Sequence, residues 1–152
     1  MKRPNQFQAG FTVFEILIVI GIIVLLTAIA IPNLNRYQPN LKLSAAAKGL
    51  TEDLRYAQQL TITSQQVYSI SLDLANAKYQ LLNLEAATST VKEVLLPEGI
   101  IFDTASTTVS LIKFNSYGAA STGSSGQIFL KNSNNRTRII NIKPSGYVEL
   151  PN

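Results

Sequence analysis

Residues 11–31 read FTVFEILIVIGIIVLLTAIAI, twenty-one positions with a single ionisable group, Glu15. At 1.5 Å per residue such a run makes roughly 31 Å of helix, enough to cross the hydrocarbon of a bilayer. It is apolar on every side, so it does not read as the surface helix of a soluble domain. Ahead of it lies a polar leader, Met1 to Gly10, carrying Lys2 and Arg3. Positive charge before a span predicts a cytoplasmic N-terminus and an exported remainder. A secretory signal peptide shares the basic start and the apolar core, and Ala28-Ile29-Ala30 fits its small-x-small ending loosely. Glu15 counts against it, because a charge in such a run costs up to about 2.5–3.5 kcal/mol near a helix centre. A plain single-span anchor is the other simple reading.

The rest of the chain excludes several chemistries. A length of 152 residues is that of one domain, and 46% apolar with 14% charged residues is not the composition of a disordered polyelectrolyte. There is no Cys and no His. Disulfide staples, thiol catalysis, zinc fingers and His-based acid–base chemistry are therefore ruled out. Thirteen Lys and Arg stand against nine Asp and Glu, a net charge of +4. That excess is too small to make nucleic acid the first partner to consider.

Beyond Pro32 the helix is expected to continue after a bend, since proline removes a helical hydrogen bond. From Leu41 an apolar stripe recurs at three- and four-residue steps: Leu43, Ala46, Ala47, Leu50, Leu54, Ala57 and Leu60. Lys48, Glu52, Asp53 and Arg55 occupy other faces. The stripe predicts packing on a sheet, and the whole helix amounts to about fifty residues, roughly 75 Å. After Ser64 the texture turns to short alternating runs. Tyr68 to Leu74 and Tyr79 to Leu84 read as a hairpin around Asn76. Further strands are expected at 91–96, 100–102, 108–114, 127–131, 137–143 and 147–150, separated by Gly-, Pro- and Asn-rich turns. The fold class is α+β, a long N-terminal helix packed against a C-terminal antiparallel β-sandwich head. The expected organisation is leader 1–10, membrane half of the helix 11–31, amphipathic half 32–63 and head 64–152.

Gly10-Phe11-Thr12-Val13-Phe14-Glu15, followed by the apolar run and Pro32, resembles the N-terminal signature of type IV pilins and type II secretion pseudopilins. The resemblance implies cleavage by a prepilin peptidase between Gly10 and Phe11, with methylation of the new amine on Phe11. It also implies that Glu15 and Pro32 serve assembly, Pro32 as the family's helix-kinking proline. The head, through VYSISLDLANAKYQL and GQIFLKNSNNRTRIINIKPSGYVEL, resembles the GspH/FimT group of minor pseudopilins. This second resemblance implies a low-abundance filament component whose partners are other pilin or pseudopilin subunits, the peptidase and an inner-membrane assembly platform. The bilayer would be met through residues 11–31. Lack of a Cys pair departs from the many pilins whose heads are stapled by a disulfide.

An isolated carboxylate in lipid must be neutralised or paired. Cutting after Gly10 would place a positive amine on Phe11 in the same layer, so Glu15 of one subunit could neutralise its neighbour's terminus. The simpler alternative is a carboxylate that snorkels to the headgroups.

No catalytic residue, metal ligand set or cofactor is implied elsewhere. Asp53, Asp73 and Asp103 are scattered rather than spaced as a calcium loop. The stretch from Gly118 to Gly126 lacks the Gly-Lys-Ser/Thr ending of a phosphate loop and reads as a flexible loop. Lys131, Arg136, Arg138 and Lys143 are four bases without an intervening acid. On one face they would form a DNA-binding patch, with Arg136 and Arg138 aligned by the two-residue strand period. That alternative function is a DNA-capturing subunit of a competence filament. The competing reading of the four bases is a charged, solvated edge strand.

Overall fold

The computed structural model describes residues 11–85 and 88–151, without the side chains of 32–36. The expected leader therefore lies outside the described residues. Among the described residues one helix, α1 (Val13–Ser64), is followed by eight strands. These are β1 (Tyr68–Asp73), β2 (Lys78–Asn83), β3 (Ser89–Leu95), β4 (Ile100–Phe102), β5 (Leu111–Lys113), β6 (Gly126–Asn132), β7 (Thr137–Ile142) and β8 (Val148–Glu149). The chain divides into two compact units, one ending at Tyr37 and the other running from Gln38 onward.

The first unit holds a segment, Val13–Ile31, long and apolar enough to cross a membrane, with mean hydropathy 3.0 and none of it buried. Its one internal hydroxyl is satisfied locally, Thr27 Oγ1 donating to the Ile23 carbonyl at 2.7 Å. Backbone helix continues without interruption through residues 32–36.

In the second unit α1 buries the face that its spacing marks out. Leu43, Ala46, Ala47, Leu50, Leu54 and Ala57 are all in the core, with Leu60 packed at its margin. The alanines bring the helix backbone close to the sheets, while each buried leucine contributes about 1.5–3 kcal/mol. Polar side chains on the same face return their hydrogen bonds to the helix: Thr51 Oγ1 to the Ala47 carbonyl and Thr61 Oγ1 to that of Ala57. Thr61 also accepts the Tyr68 N–H at 3.1 Å, fastening the helix end to β1.

The strands form two four-stranded sheets in the orders β3-β2-β1-β5 and β4-β6-β7-β8. Every pairing is antiparallel. Ile70, Leu72, Tyr79, Leu81 and Ile112 from the first sheet and Ile100, Phe102, Ile128, Leu130, Ile140 and Ile142 from the second join the helix in one core. Between β2 and β3 the register slips: Leu81 pairs with Lys92 but Leu82 with Thr90, leaving Val91 as the extra residue of a bulge.

One strand is much shorter than expected, and Arg136, expected to align with Arg138 on a strand, does not lie on one. The run from Thr108 yields only Leu111–Lys113, because Thr108 N–H bonds to the Gln127 carbonyl of the other sheet and Phe114 forms an isolated bridge with Ala120. Arg136 lies one residue ahead of β7, in a turn held by Asn132, whose Oδ1 accepts the Asn134 and Arg136 N–H groups.

Candidate functional site

At the start of α1, Phe11 and Thr12 are not helical and Val13 begins the helix. Thr12 Oγ1 accepts the Glu15 N–H at 3.2 Å, and the Thr12 carbonyl accepts the Ile16 N–H at 3.3 Å. Phe11 and Glu15 line a common apolar hollow with Ile16, Val19 and Ile20. Phe11 is 81% exposed. The acid is thus the one charged group on an oily, unpartnered helix surface. A carboxylate in the first turn is also favoured by the positive end of the helix dipole. Gly10 falls outside the described residues, as does the side chain of Pro32.

The head does not gather the four bases into one patch. Arg136 and Arg138 come together, lining a small hollow with Asn40, Leu43, Ser44 and Thr137. Arg138 Nη1 also donates to the Pro151 carbonyl at 3.3 Å. Arg138 pairs across from buried Leu130, whereas Lys131 pairs with Thr137 and so belongs to the opposite face of the sheet. Lys143 stands beyond the far end of β7, held to Glu149 at 3.1 Å and lying 5.2 Å from the centre of the Tyr147 ring.

Polar residues that the sequence did not single out as a site hold the head together. Asp53, nearly buried on α1, accepts a hydrogen bond from Tyr79 OH on β2 at 2.7 Å. The same carboxylate receives Lys92 Nζ from β3 at 2.6 and 2.8 Å. Asn132 Nδ2 donates to Asn40 Oδ1 at 3.0 Å, tying the β6–β7 turn to the helix. Gln58 Nε2 donates to the carbonyls of Gly118 and Gly146. Each contact joins residues far apart in sequence, and no local pattern announces it.

Burial, reinforced by the adjacent Asp53 and then Glu52, pushes the Tyr79 hydroxyl far above the usual tyrosine range. The fold therefore keeps the Tyr79 proton at pH values where the unfolded chain loses it. This stabilisation is complete below about pH 10 and drains away as pH climbs through the alkaline range. Tyr79→Phe is expected to cost about 1–2 kcal/mol at neutral pH, with the deficit relative to wild type shrinking above about pH 10. Denaturant titrations of the two proteins at several alkaline pH values check this.

An apolar N-terminal helix running into a helix that packs on antiparallel sheets defines a pilin-type subunit. A family model described as "Type II transport protein GspH" matches residues 46–146, most of the head, and the chain belongs to this family. The fold is shared with the minor pseudopilin EpsH of the Vibrio cholerae type 2 secretion system. There the TM-score is 0.62 at 14% identity, covering 72% of this chain and 96% of that one. It is shared too with the type IV minor pilin FimU of Pseudomonas aeruginosa PAO1, with TM-score 0.61, 15% identity and coverage of 76% and 92%. The type IV major pilin protein PilA of Myxococcus xanthus DK1622 is 40% identical over 76 residues, half of this chain. That match spans 33% of the length of PilA. Pilins and pseudopilins are structural subunits that assemble with one another rather than enzymes.

Proposed function

We propose that this chain is a minor pilin or pseudopilin, a subunit of a type IV pilus or type II secretion pseudopilus. In this reading prepilin peptidase cuts after Gly10 and the amine of Phe11 is methylated. Residues 11–31 hold the subunit in the inner membrane, leader inside and head exported, until an assembly platform passes it into a filament beside other subunits. The observation that carries the reading is the pairing of Phe11 and Glu15 on one hollow of an otherwise uncharged, fully exposed helix. Glu15 then neutralises the terminal amine of an adjoining subunit in a medium where neither charge is tolerated alone. Pro32 lets the helix adapt its course between membrane and head. The family match and the split placement of the four bases favour this reading over a DNA-capturing head.

Intact-mass and N-terminal analysis of the protein from its own cells tests it. The expected product begins at Phe11 and carries one additional methyl group. A protein that still begins at Met1 overturns the reading.

A further inference from the structure

The hollow that Arg136 and Arg138 share with Asn40, Ser44 and Thr137 is lined by no acidic side chain, and its apolar member, Leu43, is buried. Among the described residues Lys78, Lys92 and Lys143 each meet a carboxylate, whereas neither guanidinium does. Arg138 Nη1 donates to the Pro151 carbonyl, a neutral acceptor. Asn40 Oδ1 is taken by Asn132 Nδ2, which fixes the amide and leaves its NH2 group to donate. Two permanently charged forks beside an amide and two hydroxyls make a site for an oxyanion, and guanidinium matches phosphate through paired hydrogen bonds. At about 180 Å³ the hollow is smaller than the roughly 300–1,000 Å³ of a pocket for a whole organic ligand, so it suits one compact anionic group.

The surroundings of the hollow favour a lipid as the source of that group. Nine positions separate Ile31, the last residue of the apolar segment, from Asn40. Whatever course the chain takes between them, Asn40 stays within about 32 Å of the end of that segment. Headgroups around a spanning segment are therefore presented to the hollow at a high, tethered concentration. The intervening residues are of the kinds found at a bilayer surface: Tyr37 and Leu41 are 63% and 68% exposed, and Lys42 is exposed beside them in sequence. Each basic residue brought to an anionic bilayer strengthens binding by about fivefold. We infer that the Arg136–Arg138 hollow holds the phosphodiester of an anionic phospholipid, keeping the head down on the membrane until the subunit is drawn into a filament. The inference rests on the membrane-anchored reading above.

The test places the full-length chain in nanodiscs of phosphatidylcholine alone or of an equal mixture with phosphatidylglycerol. Amide exchange is followed over residues 132–138, with β1 as the internal reference. Phosphatidylglycerol is expected to slow exchange there about fivefold in wild type and in Lys143→Ala, and to leave Arg136→Ala/Arg138→Ala unchanged. Added salt should shrink the difference. No slowing in wild type, or equal slowing in the double variant, overturns the inference. Glycerol phosphate added to phosphatidylcholine discs is expected to do little; if it protects as well as the lipid does, the site takes the free ion and the lipid assignment falls. Protection by a short DNA duplex that the double variant loses, with none from phosphatidylglycerol, overturns it in favour of nucleic acid. A chain that alkaline carbonate strips from liposomes instead overturns the membrane-anchored reading beneath it.

Discussion

Glu15→Ala is expected to be cut after Gly10 as well as wild type and yet to fall by about tenfold or more in sheared filaments. Cleavage would survive because the proposed cut lies five residues upstream, on the leader side of Phe11. Incorporation would fail because, in the proposed pairing, the terminal amine of an adjoining subunit would enter the apolar layer with nothing to balance it. Removing one member of a buried ion pair costs about 3–5 kcal/mol, and about 1.4 kcal/mol is a factor of ten in an equilibrium. The full penalty would thus exceed tenfold even if part of it were relieved by solvent at the headgroups. Quantitative immunoblots of filament and membrane fractions decide the matter. A carboxylate that merely snorkels to the surface would be dispensable, and the alanine protein would then distribute as wild type does.

Gly146→Ala is expected to be the most damaging single methyl group in the head. Gly146 has φ +84°, and a Cβ there would sit 1.9 Å from the Gly118 carbonyl oxygen and 2.7 Å from Gln58 Nε2. The Gln58 bridge to both glycine carbonyls holds these two turns together, so neither backbone can yield without losing it. A loss of about 3–4 kcal/mol is expected, combining left-handed backbone strain with steric rupture. Gly123 provides the control. Its φ is +80° but no atom lies within 4 Å of its would-be Cβ, so Gly123→Ala isolates the backbone cost of about 1 kcal/mol. Denaturation of the full chain in detergent, followed by near-ultraviolet circular dichroism, separates the two. Equal losses for both variants would show that the Gly146–Gly118 approach is not tight.

Local periodicity made the helix and its buried face legible in the sequence. Leu43, Leu50, Leu54 and Ala57 are core residues because three- and four-residue spacing keeps them on one side of α1, whatever they meet. Strand existence was legible for the same reason, through alternation such as Ile70 and Leu72. Strand ends were not, since Thr108, expected to open a strand, gives its N–H to the Gln127 carbonyl across the fold. The bonds from Asp53 to Lys92 and from Asn132 to Asn40 span 39 and 92 residues and depend on topology alone. At the membrane end the charge of Glu15 was visible in the sequence, but not the bond from its N–H to the Thr12 hydroxyl. Arg136 and Arg138 line one hollow although Arg136 lies in the turn ahead of β7 and not on the strand. Lys131 was separated from them by strand parity and Lys143 by the length of β7.

Crowding many copies of a β-rich head side by side invites their border strands to fuse into a common sheet. The first sheet resists this at β3, where the Val91 bulge breaks the straight row of open amides and carbonyls. Lys92 and Glu93 guard the same rim, the former anchored to Asp53. In a filament of the proposed kind, heads with such a rim would lie close together without joining edge to edge at β3.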